Sequence, residues 1–182
     1  MPEAYQIKDQ SAMYFLTFQV VFWLDVFTRR DYRDIFIDSL IFCRKNKQLE
    51  VYGYVIMSNH VHLILRSKNE KLSDTIRDMK KYTATQIIDR IENGNESRKK
   101  WLLSEMAFAA RKHKRNSNYQ FWTHENHAVE LTSGNMMEQR LNYIHQNPVK
   151  AGIVINAEDY LYSSAGNYCQ SINCLMEVDI LE

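Results

Sequence analysis

The chain has 182 residues, 45% of them hydrophobic and 25% charged, a composition that suits one globular domain with a sizeable core. Five glycines and two prolines exclude long flexible linkers and low-complexity tails. A net charge of +1 excludes the global basic field of a general nucleic-acid binder, and the longest apolar runs are broken by charge well short of a membrane span.

No internal repeat is evident. The opening Met1-Pro2-Glu3-Ala4-Tyr5 lacks the basic-then-apolar shape of a signal peptide. Three cysteines, Cys43, Cys169 and Cys174, have no metal-ligand spacing, and their odd number suits a reducing compartment. The expectation is a cytoplasmic protein with one domain over 1–182, its core at about 13–155 and its tail at 156–182.

Residues 13–27 are rich in Phe, Val, Tyr and Trp, with Thr17 and Gln19 on one parity, and read as a long strand. Asp31 and Asp34 open an amphipathic helix of about four turns, closed by Arg44, Lys45 and Lys47. A strand over 49–55 and another over 60–66 flank a bend at Ser58-Asn59. Ser73 is the expected N-cap of a second helix, whose stripe is Ile76, Met79, Thr83, Ile87 and Ile91 and which ends at Asn93-Gly94-Asn95. Residues 101–110 read as a further helix and 127–131 as a last core strand. Ser133 caps a helix through Ile144 and His145 to Asn147, which Pro148 is expected to end or kink, with a turn at Gly152. This order describes an α+β fold: a ferredoxin-like βαββαβ antiparallel sheet with helices on one face, plus an added C-terminal helix.

The chemistry gathers in two places. In His60-Val61-His62 the two imidazoles share one face of a strand, because successive side chains alternate. That is a bidentate metal platform, or two histidines on a half-exposed strand. Tyr143 and Asn147 stand four residues apart and share a helix face, where Tyr143 is an ordinary half-buried aromatic or something sharper. Two imidazoles and one oxygen ligand can hold a divalent cation with open positions for a phosphate oxygen. A phenol, with a free pKa of about 10, needs such charge stabilisation to attack phosphorus. Lys80-Lys81, Arg98-Lys99-Lys100 and Arg111-Lys112-His113-Lys114-Arg115 are local basic clusters, either solvated surface or phosphate contacts.

The stretch Met57-Ser58-Asn59-His60-Val61-His62 resembles the HUH signature. Leu141-Asn142-Tyr143-Ile144-His145-Gln146-Asn147-Pro148 is similar to the tyrosine segment of single-tyrosine HUH transposases, most of all the REP-associated tyrosine transposases and their insertion-sequence relatives. Lys80-Lys81-Tyr82-Thr83, Phe121-Trp122 and Asp159-Tyr160-Leu161-Tyr162-Ser163-Ser164-Ala165 extend the resemblance over most of the chain. It implies a nuclease and strand transferase on single-stranded DNA near hairpin or inverted-repeat ends, using Mg²⁺ or Mn²⁺ and leaving a 5′-phosphotyrosine. By position, Tyr143 is then the nucleophile, His60 and His62 are metal ligands, and Asn147 is the third ligand. His145 points to another side of its helix and is a candidate DNA contact; His127 is expected to be packed or on the surface. The DNA surface is expected at Lys80, Lys81, Arg98, Lys99, Lys100, Arg111, Lys112, Lys114 and Arg115, with Trp101 and Tyr119 nearby. The family includes dimers and monomers, so a homodimer is open. The alternative is a non-catalytic hairpin DNA or RNA binding module derived from a transposase.

Overall fold

Strict alternation along two interior strands divides this sheet into a core face and a face that carries two histidines. The computed structural model describes residues 6–112, 118–170 and 173–181. Strands β1 (Tyr14–Gln19), β2 (Leu49–Ile56), β3 (His60–Ser67) and β4 (Val129–Glu130) form one antiparallel sheet in the order β2-β3-β1-β4. The helices are α1 (Arg30–Lys47), α2 (Leu72–Asn93), α3 (Lys99–Arg111), α4 (Gly134–Lys150) and the short α5 (Ala165–Tyr168). No helix among the described residues is long and apolar enough to cross a membrane.

The β1–β3 register sets Leu16 opposite Leu63 and Thr17 opposite His62. Residues directly opposite share a face. Leu16, Phe18, Val61, Leu63 and Leu65 therefore point to one side, where all are fully buried against α1 and α2. Phe18 meets Phe36 of α1 at 6.3 Å and Trp122 at 5.9 Å, both edge to face. Phe27 stacks on the same Trp122 at 5.7 Å, and the indole Nε1 donates to Thr83 Oγ1 of α2 at 3.1 Å. Each such aromatic pair adds about 0.5–1.5 kcal/mol beyond area burial.

The other side of the sheet carries Phe15, Thr17, His60, His62 and Ile64, and α4 lies across it. Gly53 of β2, opposite Ile64, makes the approach close: a Cβ there would sit 2.8 Å from Leu141 Cδ1 and 3.6 Å from Ile144 Cδ1. Ser133 caps α4, its Oγ accepting from the Met136 amide at 3.3 Å. The tail returns along the outer edge of β2. Ile56 N donates to Tyr162 O, Ser164 N donates to Tyr54 O (each 2.9 Å), and the Tyr160 hydroxyl reaches Ile56 O at 2.7 Å.

Several expectations need correction. The long strand over 13–27 stops at Gln19, and two 3-10 turns, Val21–Trp23 and Val26–Thr28, follow. Phe22 and Trp23 take left-handed backbone, φ 53° and 56°, at a cost on the order of 1 kcal/mol each. The second helix starts one residue before Ser73, from Lys71, with no side-chain cap. The last strand is only two residues, since His127 at φ 42° turns the chain before Val129. Pro148 does not end α4. In a final turn it forfeits one hydrogen bond, and the helix closes beyond it through Ala151 N to Asn147 O (3.0 Å) and Gly152 N to Val149 O (2.9 Å), with Gly152 at φ +70°.

Gly53→Val should cost about 1–3 kcal/mol in urea unfolding, because the added side chain must displace Leu141. Leu141→Ala in the same chain should return part of that loss; strict additivity of the two changes would show that α4 does not dock through this contact.

Candidate active site

His60 opens β3 directly after the Ser58-Asn59 bend, and the bend is tied down from outside the hairpin. Asp25 Oδ1 accepts from Ser58 Oγ at 2.7 Å and from Asn59 Nδ2 at 3.1 Å. A carboxylate only accepts, so the Asn59 amide nitrogen faces Asp25 and its oxygen faces His60 Nδ1, 2.7 Å away. The His60 proton is thereby placed on Nδ1, which leaves Nε2 with a lone pair. Trp23 adds an edge-on ring contact to His60 at 5.8 Å.

His62 lies 4.7 Å from His60, ring centre to ring centre. It is 6% exposed, its Nδ1 shares a 2.9 Å hydrogen bond with Thr17 Oγ1, and Phe15 stacks on it at 5.3 Å. Its Nε2 is buried with no hydrogen-bond partner. Burial, with smaller contributions from His60 and the Arg140 guanidinium, pulls the His62 pKa down to about 3. Burial also lowers His60. Both rings are therefore neutral at physiological pH, the state a metal ligand requires.

Tyr143 reaches the same place from α4, its ring 5.2 Å from His62 and 6.0 Å from Phe15, and 39% exposed. Lys150 holds its ammonium 5.9 Å from the Tyr143 ring, and Arg140 lies over Phe15 at 4.9 Å. The structure thus joins His60, His62 and Tyr143. Asn147 turns its amide nitrogen back to the Tyr143 carbonyl, at 3.3 Å, rather than to either imidazole. Among the described residues no three His, Cys, Asp or Glu side chains form a metal cluster, so a cation on the two imidazoles would need an amide or ligand oxygens besides.

The family model described as transposase IS200 like matches residues 13–111, more than half of the chain. The chain belongs to the IS200-like transposase family. That match takes in β1 through α3 and both histidines, and stops short of Tyr143. A solved REP-associated tyrosine transposase bound to a REP hairpin superimposes with a TM-score of 0.65 at 16% identity, over 100% of this chain and 96% of its own, and shares the fold. A protein from Deinococcus radiodurans aligns over 76% of this chain and 91% of its own, at 17% identity and a TM-score of 0.43, too remote to carry an argument. No protein of curated function matches the sequence.

Three residues of this IS200-like transposase that looked like surface contacts, Lys80, Arg98 and His145, are placed differently. Lys80 donates from Nζ to Thr123 O at 2.8 Å and Asn126 Oδ1 at 2.7 Å beneath the Phe18 ring, which is a packing role. Arg98 braces buried Glu96 and donates to Asp25 O at 3.0 Å. His145 packs inward, 2.9 Å from Ser164 Oγ and 5.2 Å from the Tyr168 ring. Lys81 and Lys100 are exposed, Lys99 is half-buried, and Arg111 and Lys112 are exposed at the far end of α3. Lys114 and Arg115 lie outside the described residues. Sequence reasoning missed Thr17, Asp25 and Arg140 as parts of the site. Arg140 was findable, one helical turn before Tyr143. Thr17 needed the strand register, and Asp25, 33 residues from Ser58, gave no local signal.

Burial draws the Lys80 ammonium from 10.5 to about 7. Between those values the unfolded chain holds the extra proton, so folding stability rises with pH across that window. Urea unfolding at several pH values should show the wild type gaining stability relative to Lys80→Met from pH 7 towards 10; parallel curves would place Lys80 in solvent.

Proposed function

We propose that this transposase is a metal-dependent endonuclease and strand transferase on single-stranded DNA, built on a ferredoxin-like sheet. The observation that carries this reading is the joining of His60, His62 and Tyr143 on the sheet face opposite α1 and α2, with His62 Nε2 buried and unpartnered. The donor set suits a divalent cation such as Mg²⁺ or Mn²⁺: two neutral imidazoles, each with one ring nitrogen oriented by a neighbour. Asn147 would complete the set by turning its side-chain oxygen inward from its present hydrogen bond. A bound cation would supply Lewis-acid polarisation of a phosphoryl oxygen.

The chain's own residues do the rest. The Tyr143 hydroxyl oxygen attacks phosphorus and gives up its proton as the new O–P bond forms. The P–O3′ bond breaks, and the departing oxygen takes a proton to become a 3′-hydroxyl. The product is a 5′-phosphotyrosine that keeps the phosphodiester energy for rejoining. Lys150 beside the Tyr143 ring and Arg140 over the neighbouring Phe15 ring set positive charge near the site, where it offsets the charge on the phosphoryl oxygens. A fold shared with a protein solved on a REP hairpin supports a hairpin end as the substrate.

With a single-stranded hairpin oligonucleotide and Mn²⁺, denaturing gels should show a covalent adduct that Tyr143→Phe reduces by at least about a thousandfold. An undiminished adduct in that variant would reassign the nucleophile, and the absence of any wild-type adduct with any metal would favour the binding module. Chelation with EDTA should abolish the adduct. Independently of activity, Thr17→Val should weaken Mn²⁺ binding about 10–100-fold in a free-Mn²⁺ titration, since it removes the hydrogen bond that orients His62; equal affinities would remove Thr17 from the ligand support.

A further inference from the structure

Beyond the histidine–tyrosine cluster stands a group of exposed aromatic side chains. Phe22, Trp23 and Phe108 are 44%, 55% and 47% exposed, and Trp23 touches His60 edge-on at 5.8 Å. Phe22 and Phe108 face one another at 6.0 Å with planes 34° apart. The Lys112 ammonium covers both rings, 5.1 Å from Phe22 and 4.4 Å from Phe108, and Arg111 stands 5.9 Å from Phe108.

This patch is held in place by backbone strain. Two consecutive bulky residues, Phe22 and Trp23, occupy left-handed conformations that glycine or asparagine adopts with least penalty. The turn bearing them is pinned on both sides, by Val20 N to Asn59 O (3.0 Å) and Val21 N to Phe121 O (2.9 Å). Burial in the core does not explain the strain, because both side chains stay about half exposed. A groove of about 420 Å³ runs beside Phe22, lined in part by Gln19, Ala109, Lys112 and Thr123, with Glu125 as its acidic residue.

We propose that Phe22, Trp23 and Phe108 form a stacking platform for one or two unpaired nucleobases of single-stranded DNA next to the phosphate presented to Tyr143. The proposal rests on the single-stranded DNA reading above. Every base has a π-face, so rings of this kind hold unpaired bases, while Arg111 and Lys112 match the charge of the backbone. Lys112 stands where a base would stack, and a base that displaces it leaves the ammonium free for the adjoining phosphate. The strained turn keeps Trp23 beside His60, which sets the distance from stacked base to cleaved bond.

The test uses the full chain in EDTA, with a mixed-sequence single-stranded oligonucleotide carrying 2-aminopurine and the same strand annealed to its complement. The wild type should alter 2-aminopurine fluorescence on the single strand. Phe108→Ala and Trp23→Gly should each weaken single-strand binding roughly five- to a hundredfold and leave duplex binding unchanged. Trp23→Gly should at the same time keep or raise the thermal midpoint, since it relieves the strain. Phe108→Ala places a strong helix former on a helix surface, so it will fold. The platform is overturned if that variant binds the single strand within about twofold of wild type. Equal losses on single and double strands, or a change in sedimentation mass without loss of binding, also overturn it in favour of bulk charge or a second copy. Loss of the Tyr143 adduct reading leaves these binding results standing, so the two ideas fail separately.

Discussion

The pairing of β1 with β3 is the constraint on which the rest of this structure depends. Both strands are interior, and their side chains alternate between the α1–α2 core and the face that α4 crosses. Because side chains repeat with period two, a one-residue slip would turn His60 and His62 into the core and bring Val61 and Leu63 to the site. The register is held by unequal faces: on one side only large apolar groups fit, and on the other Thr17 and Phe15 meet imidazole. The same pairing that buries Phe18 and Leu63 therefore aims both histidines.

A second element must then come to the exposed face, and it arrives without a strand of its own. Helix α4 rests on β2 where Gly53 leaves room, and the segment behind it runs back along β2 and joins it by backbone hydrogen bonds. His145 links the two, being on α4 and 2.9 Å from Ser164 Oγ in the returning segment. The position of Tyr143 against His62 is thus over-determined, by packing below and by the tail behind. Packing from two directions gives the ring its fixed place beside His62.

Much of this was legible in the chain. The helical stripes of α1 and α2, the Ser133 cap, the bend at Ser58-Asn59 and the shared face of His60 and His62 follow from local periodicity and turn chemistry. What was hidden was mostly long-range or strained. An aromatic run such as Phe22-Trp23 reads as strand by composition, but its backbone is bent by partners at Asn59 and Phe121 that no window includes. Lys80 looked like a surface cation because charge is read without knowledge of which helix face is covered. The Asp25 contact to the bend joins residues far apart in sequence, and Asn147, correctly placed on the helix, spends its amide on the helix backbone.

The tail along β2 has one more consequence, for how copies of the molecule can meet. An open sheet normally presents two rows of unpaired backbone groups, and such rows invite another strand. Here Tyr162 and Ser164 pair with Ile56 and Tyr54, and Asp179 both donates to and accepts from the backbone of Val51 at 2.8 Å. The opposite margin, β4, is only two residues long. Continuous sheets between neighbours are thereby blocked on one side and starved of length on the other, so self-association must use helices or side chains. Closed in this way, the sheet offers its own edges to no other strand as templates.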